Sequence, residues 1–425
     1  MTKSQISSTR LEWLDMLRVL CAIEIAGHHW LRACMHVNIF ANTELPGMFR
    51  NFLWSYKNNN AGQQLITTFP SYLILDNQHT IAAFLTNFTG FLVGFGWEAL
   101  HVFILMSGFS LSLRLTEYPS EPIKYWQNWY EKRLKRIILP YYFVAFILFA
   151  GFLCVYAAVN SINFPLFAPV KMQLQEKIGR SWLEILIGHI FLVNPWASGW
   201  STAYISSAWW FILPLLIAYI AFPIYFKVLT KYGGKIFLAI TFLISVSSYF
   251  FAKTFSLNEN SWNYIILFEC FNFTLGIFLG YYYTITEDKE RLQYLLFHPL
   301  TTCFGVVLVF VGNLMNWFTI LYPFSSLFFT FGLFIVGAKI SRYLITVPVI
   351  QKLKNVDSYT FYLIHQLIAY LFALVLNYVL RGYTTFFGGI LYILTVILVT
   401  SIFVKFYGKT EKFIASRLQR SQTDG

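Results

Sequence analysis

The stretch LDMLRVLCAIEIAGHHWLRACMH, from Leu14 to His36, is the most informative part of this chain. It is long and apolar enough to cross about 30 Å of hydrocarbon as an α-helix. It also contains ionisable side chains that a span facing only lipid would avoid, namely Asp15, Arg18, Glu24, His28, His29, Arg32 and His36. Such groups face protein or a water-filled cavity, so the stretch predicts a functional membrane span. A purely structural ion-pair network is the alternative interpretation.

Similar apolar stretches recur from one end of the chain to the other. Of the 425 residues 57% are hydrophobic and only 12% are charged, against about 25% charged in an ordinary soluble domain. This excludes a soluble globular protein, and we predict one all-α domain over 1–425, a polytopic transmembrane helix bundle in the lipid bilayer. About ten spans are predicted, at 14–35, 91–113, 137–159, 207–226, 236–252, 262–283, 299–317, 322–340, 357–380 and 386–405. The segment 182–195 is too short to span and is predicted to be re-entrant or interfacial.

The basic residues indicate how the bundle is oriented. The net charge is +12, but Lys and Arg gather in short segments between apolar stretches, which favours positive-inside topology over a nucleic-acid partner. With the N-terminus inside, the inner segments hold 22 Lys and Arg residues and the outer connections hold seven. We therefore predict that both termini are cytoplasmic. The sequence carries no indication of the oligomeric state.

Helical geometry narrows the choice of residues within the first span. Eleven steps of about 100° bring His29 to within about 20° of Arg18, some 16 Å along the axis. His28 points about 100° away from His29. A histidine can act as a general base near neutral pH, and an arginine can hold a phosphate or orient a carbonyl. The shared face of Arg18 and His29 therefore fits a catalytic pair.

Two further segments fit a catalytic interpretation. Ser107 and Gly108 lie within a span, where small residues also serve simply to let helices approach closely. A basic cluster precedes the third span, in which Arg133 and Arg136 share a face if the segment is helical; its members are Lys132, Arg133, Lys135 and Arg136. The cluster predicts either anchoring to anionic lipid or binding of a phosphorylated donor.

In their order and spacing these motifs resemble acyltransferase family 3, a family of bacterial membrane O-acyltransferases. The first span is similar to the family's Arg and His with ten residues between them, here Arg18 and His29. The resemblance continues through an SGF segment, an Arg-x-x-Arg leading to a proline, and a penultimate-span motif. Here these are Ser107–Phe109, then Arg133, Arg136 and Pro140, and last Tyr359 with His365.

The resemblance implies a multi-pass enzyme of the bacterial inner membrane. Its donor would be acetyl-CoA or a close acyl-CoA, and its acceptor a hydroxyl of a surface or lipid-linked polysaccharide. His29 and Arg18 would be catalytic, and the donor would bind to Arg133, Arg136, Lys132 and Ser107. Four more residues are predicted to line the active cavity: Asp15, Trp210, Tyr359 and His365. No permanently bound cofactor is expected, and no metal-ligand spacing is present.

One segment departs from the family pattern. Many members carry a glutamate at a fixed distance after a tryptophan in a middle span, where this chain has Leu215 and Leu216. The segment is similar instead to a branch reading Trp-Phe with a proline, here Trp210, Phe211 and Pro214. Any role of that glutamate cannot be carried over to this chain.

Two other functional classes remain open from the residues themselves. A transporter or flippase for a lipid-linked glycan would also need buried charge in a polar cavity, although the two halves show no convincing repeat. A noncatalytic partner in polysaccharide assembly could use the first span only for helix docking. His101, His189 and Glu269 are isolated in membrane segments, where helix-packing hydrogen bonds explain most such residues.

Overall fold

A computed structural model describes residues 11–36, 96–113, 115–161, 190, 207–255, 267–315, 320–380 and 385–423. Within these residues the chain is helical and contains no β-strand, which confirms the all-α class. The helices are α1 (Glu12–His36), α2 (Gly96–Ser112), α3 (Pro122–Ser161), α4 (Ile212–Tyr232), α5 (Gly234–Thr254), α6 (Cys270–Thr284), α7 (Thr286–Phe297), α8 (Pro299–Met315), α9 (Tyr322–Leu344), α10 (Pro348–Gln351), α11 (Ser358–Leu380) and α12 (Thr385–Thr423). Short 3-10 helices cover Ser207–Phe211 and Lys352–Asn355.

Several of these helices are long and apolar enough to cross a membrane. Five qualify by length and composition, and a bent pair raises the number to six. The five are Pro122–Gly151, Ile212–Tyr232, Gly234–Thr254, Pro323–Leu344 and Phe387–Thr410, and the bent pair joins Glu290–Phe297 to Pro299–Met315 at 59°. The count of ten spans and the cytoplasmic termini stay predictions. The proposed re-entrant segment 182–195 lies outside the described residues except for Ile190.

Local sequence explains where some helices begin and end. Asp357 precedes α11, and its Oδ1 accepts hydrogen bonds from the backbone N–H groups of Tyr359 (3.0 Å) and Thr360 (3.2 Å). This N-cap satisfies two donors that have no partner within the helix and is worth about 1 kcal/mol. Between α4 and α5 the chain reverses at Gly233, whose φ of +82° favours glycine.

Helix α1 lies at the centre of the bundle. It packs against α2, α9, α11 and α12, and Met16, Ala26 and Trp30 are almost completely buried along its length. Its neighbours cover much of its surface, and ionisable side chains along it are half-buried among them: Asp15, Arg18, Glu24, His28 and His29. The central position therefore explains how the most charged of the predicted spans can exist in a membrane.

Contacts at the two ends of α1 define the ends of the bundle. Glu12 forms an ion pair with Lys354, with Oε1 and Nζ 2.5 Å apart, and we call this the near end. Trp30 stacks on Tyr392 with ring centroids 5.3 Å apart, and we call this the far end. Arg18 lies toward the near end and His29 close to the far end. In the predicted topology the near end is cytoplasmic.

Helices α2 and α6 pack backbone to backbone through glycines. A Cβ added at Gly108 would lie 2.1 Å from the carbonyl oxygen of Phe273, and one added at Gly276 would lie 2.0 Å from that of Leu105. No side chain fits at such distances, so only glycine permits this approach. Small residues commonly mediate close helix packing in membranes. We refer to this contact as the glycine seam.

The orientation of the bundle can be tested by cysteine labelling. Because the basic residues concentrate on one predicted side, we expect Ser120→Cys and Ser421→Cys, each in a background without other cysteines, to resist an impermeant maleimide added to intact cells. Asn59→Cys, in a predicted outer connection, should react and serves as the control. Labelling of Ser120→Cys or Ser421→Cys from outside would show that the predicted topology is wrong.

Candidate functional site

Arg18 is held by one residue of its own helix and one of α2. Its Nη1 lies 2.9 Å from Oδ1 of Asp15, and its Nη2 donates a hydrogen bond to Oγ of Ser110. The side chains of Arg18 and Asp15 keep 30% and 17% of their surface exposed. The guanidinium is thus oriented by the protein and still accessible to a ligand, as a group that binds a carbonyl or phosphate needs to be.

The serine that contacts Arg18 is Ser110, which the sequence did not single out. Ser110 donates its own hydroxyl hydrogen to the carbonyl of Met106 at 2.6 Å, which leaves its oxygen to accept from Arg18. Ser107 donates to the carbonyl of Phe103 at 2.8 Å and is half-buried on the same helix. The spacing of three residues between the two serines was a signal for Ser110, because such residues are neighbours on a helix surface.

His29 and His28 face different helices. His29 lies against α11, where its ring centroid is 5.1 Å from that of His365 and its Nδ1 is 3.4 Å from Nε2 of Gln366. The Cβ of His28 lies against Gly96 at the start of α2. Successive residues on a helix differ in direction by about 100°, which accounts for this separation.

Arg18 and His29 therefore reach different neighbours although their Cα atoms share a face. The long Arg18 side chain extends to Ser110 on α2, whereas the shorter His29 side chain meets α11. Both are half-buried along α1, one toward the near end and the other close to the far end. The arrangement can hold a long ligand at one point and carry out proton transfer at another.

His365 on α11 forms hydrogen bonds through both its imidazole ring and its backbone carbonyl. Nδ1 of His365 lies 2.6 Å from the carbonyl oxygen of Tyr362, and Tyr392 donates its hydroxyl to the carbonyl of His365 at 3.0 Å. The imidazole is fully buried. His365, predicted to line the cavity, thus lies directly beside His29.

The short 3-10 helix Ser207–Phe211 is hydrogen-bonded to α11 through the backbone of Ala208 and the indole of Trp209. Ala208 donates its N–H to Oε1 of Gln366 at 2.8 Å and accepts a hydrogen bond from the Tyr362 hydroxyl. The indole Nε1 of Trp209 donates to the carbonyl of Leu363 at 2.8 Å. The side chain of Trp210, a predicted cavity residue, lies outside the described part of the chain. Leu215 and Leu216, which occupy the place of the family glutamate, are buried.

The basic cluster lies on the first half of α3, which confirms that this segment is helical. Lys132 and Arg136 are exposed, and Cζ of Arg133 lies 6.0 Å from the ring centroid of Trp129, within the range of a cation–π interaction. Lys135 pairs with Glu131 at 2.7 Å on the exposed surface.

Contacts between α3 and α11 place this cluster at the near end. The Tyr359 hydroxyl donates to the carbonyl of Ile137 at 3.0 Å. One turn further along α3, the ring of Tyr141 packs against that of Trp209, with centroids 5.3 Å apart. The indole of Trp209 in turn donates a hydrogen bond to the carbonyl of Leu363 on α11. The two helices therefore run in the same direction, so the basic residues that precede Ile137 lie beside or beyond the start of α11.

A second polar cluster was not recognised from the sequence, where its members are isolated. Nδ1 of His101 on α2 lies 2.6 Å from Oε1 of Glu269, which directly precedes α6. Asn272 donates to the other carboxylate oxygen at 2.9 Å. The side chains of His101 and Glu269 are only 8% and 6% exposed, so this pair is buried between the helices joined by the glycine seam. No sequence spacing signals a pair whose partners are this far apart along the chain.

Comparison with known protein families gives a match over nearly the whole chain. A family model described as an acyltransferase domain, that of acyltransferase family 3, matches residues 11–405, which is nearly the whole chain. No curated protein and no solved structure matches. The family match spans α1, the SGF segment, the basic cluster and α11, so it includes every site residue considered above.

Proposed function

Because the chain belongs to acyltransferase family 3, we propose that it transfers an acetyl or similar small acyl group from cytosolic acyl-CoA to a hydroxyl of a surface or lipid-linked polysaccharide. The observation that carries this proposal is the layout of the central helix. Arg18 lies toward the near end with its guanidinium accessible, and His29 lies close to the far end beside His365. A bacterial inner membrane is the location at which cytosolic donor and exported glycan meet.

In this proposal His29 accepts the proton of the acceptor hydroxyl. The hydroxyl oxygen attacks the thioester carbonyl carbon, the carbon–sulfur bond breaks, and the proton passes to the departing sulfur. The products are the O-acyl ester and the free thiol of CoA, so the reaction requires neither a redox step nor a bound cofactor. A neutral sugar hydroxyl is a poor nucleophile, and general-base help typically contributes about 10²–10⁴-fold.

The donor would enter at the near end. Its phosphates would bind Arg133 and Arg136, with Lys132 adding charge, because the guanidinium fork matches phosphate geometry. Its acyl arm would extend along α1 past Arg18, which orients the thioester carbonyl together with Asp15 and Ser110. Ser107 and Tyr359 would flank this path from α2 and α11.

Substitution of the donor-binding arginines tests this assignment. We expect Arg133→Ala and Arg136→Ala each to weaken acetyl-CoA binding by about 1.5–3 kcal/mol, since each removes charge-assisted hydrogen bonds. This corresponds to roughly a 10- to 150-fold rise in Kd, measured by calorimetry on folded protein. Lys135→Ala is the matched control, because Lys135 already pairs with Glu131 on the exposed surface. Unchanged affinity in both arginine variants would support the lipid-anchoring interpretation of the basic cluster instead.

Consumption of thioester separates this function from transport. Purified protein should release the CoA thiol from acetyl-CoA only when a lipid-linked glycan acceptor is present, and the glycan should gain the mass of one acyl group. Mass spectrometry of surface glycans with and without the protein identifies the acceptor. Movement of the glycan across the membrane without loss of thioester would show that the proposed function is wrong.

A further inference from the structure

The hydrogen bonds around His29 and His365 define where each neutral ring carries its proton. The two rings are adjacent, with centroids 5.1 Å apart and planes inclined at 50°. Each ring has at least one nitrogen with a partner of known donor or acceptor character. A neutral imidazole has one N–H and one lone pair, so a partner at one nitrogen determines the state of the other.

Gln366 determines the state of His29. Its Oε1 accepts the backbone N–H of Ala208 at 2.8 Å, and a backbone N–H can only donate, so the amide orientation is defined. The amide nitrogen then faces Nδ1 of His29 at 3.4 Å. An amide nitrogen also only donates, so Nδ1 is the acceptor in this long hydrogen bond. The proton of neutral His29 is accordingly on Nε2.

Tyr362 determines the opposite state for His365. Nδ1 of His365 lies 2.6 Å from the carbonyl oxygen of Tyr362, and a carbonyl oxygen can only accept. Neutral His365 therefore carries its proton on Nδ1 and has its lone pair on Nε2. This Nε2 is buried and has no hydrogen-bond partner among the residues that the structure describes.

An unsatisfied buried acceptor is unfavourable and calls for an explanation. Helix packing accounts for the bond from Nδ1 to Tyr362 but leaves the lone pair on Nε2 unused. The adjacent His29 supplies a matching group, because its own proton lies on Nε2. The ring of His29, which carries its proton on Nε2, is thus the neighbour of a ring whose Nε2 lone pair is unused.

We propose that His365 is a positioning residue that accepts a hydrogen bond from Nε2 of His29 during acyl transfer. This inference rests on the proposed function, in which His29 takes up the acceptor proton. The acceptor hydroxyl displaces the weakly held Gln366 amide from Nδ1, and its proton moves to that nitrogen. His29 is then doubly protonated, and its Nε2–H is stabilised by the lone pair of His365. When the carbon–sulfur bond breaks, the proton on Nδ1 passes to sulfur and His29 returns to its resting state.

This arrangement follows the general rule that a catalytic base is oriented by a third group. Here the third group is a neutral imidazole, and its own orientation comes from the Tyr362 carbonyl. The hydrogen bonds form one directional series, from acceptor hydroxyl to His29, from His29 to His365, and from His365 to Tyr362. Catalytic hydrogen bonds are often long before substrate binds, and a small movement of either ring closes this one.

The tautomers can be tested without any measure of activity. Nitrogen-15 NMR of the detergent-solubilised protein with labelled histidine distinguishes Nδ1–H from Nε2–H rings, and His29→Ala and His365→Phe assign the two signals. We expect the Nε2–H form for His29 and the Nδ1–H form for His365. An Nε2–H form for His365, or an Nδ1–H form for His29, would overturn the proposal.

Kinetics of His365 variants provide the second test. His365→Phe keeps an aromatic ring but removes the hydrogen-bond acceptor, so we expect kcat to fall about 10- to 100-fold. This loss is smaller than the full contribution of a general base, because His29 itself is still present. KM for acetyl-CoA should not change. His365→Gln, whose amide oxygen can accept a hydrogen bond, should recover part of kcat.

Tyr392→Phe is the matched structural control. It removes a hydrogen bond to the backbone carbonyl of His365 and leaves the imidazole unaltered, so kcat should stay close to that of the wild type. Wild-type kcat in His365→Phe, or equal losses in Tyr392→Phe and His365→Phe, would overturn the proposal. Failure of the proposed function would differ, since the wild-type protein itself would then release no CoA thiol.

Discussion

Replacing His29 by Ala should lower the rate of acyl transfer by about 10²–10⁴-fold, the usual contribution of a positioned general base. The reason is that the variant lacks the group that removes the proton from the acceptor hydroxyl. Expression and acetyl-CoA affinity should change little, because the donor phosphates would bind at the basic cluster on α3. The measurement is release of CoA thiol by purified protein with a glycan acceptor.

The adjacent histidine supplies an internal control for this experiment. His28 offers the same imidazole but lies against Gly96 at the start of α2 instead of facing α11. We therefore expect His28→Ala to retain substantial activity. A near wild-type rate in His29→Ala, or an inactive but folded His28→Ala, would require a different base.

The next largest effect is expected on stability, from the buried pair between α2 and α6. Replacing Glu269 by Leu should destabilise the protein by about 3–5 kcal/mol, the usual result of removing one partner of a buried pair. His101 would lose the carboxylate 2.6 Å from its ring, and Asn272 would lose its acceptor. The free energy of unfolding can be measured by titration with a denaturing detergent.

The double variant separates lost pairing from poor packing. His101→Leu combined with Glu269→Leu removes both polar groups, and replacing a whole buried pair by apolar residues is often neutral or stabilising. The double variant should therefore be more stable than Glu269→Leu alone. If the loss of stability in the double variant equals the sum of the losses in His101→Leu and Glu269→Leu measured singly, the two side chains do not interact and the pairing is wrong.

Hydrophobic patterning was sufficient to locate most helices. The predicted spans 299–317 and 322–340 correspond closely to α8 (Pro299–Met315) and the first part of α9 (Tyr322–Leu344). The start of α3 differs, because the span was predicted from residue 137 and the helix begins at Pro122. Polarity marks where a helix leaves the hydrocarbon, whereas the helix itself continues wherever its backbone hydrogen bonds are satisfied.

From the sequence, the relative directions of the site residues could be predicted only for residues on the same helix. Periodicity separated His28 from His29 by direction, and the structure places them against different helices. It could not show that Ser110 meets Arg18 or that Gln366 meets His29, because these contacts depend on which helices are neighbours. A single sequence contains the angular position of each residue but not the identity of the helix that it faces.

The glycine seam has a consequence for how the protein is made. Helix α2 is synthesised long before α6, and the wait at a typical translation rate is on the order of ten seconds. During that interval its seam surface has not met α6, and its buried polar side chain His101 has not met Glu269, which directly precedes α6. Such side chains are costly in lipid. If α2 crosses the membrane as the topology predicts, it therefore has to be shielded from lipid until α6 has been synthesised, and only then can the two helices join.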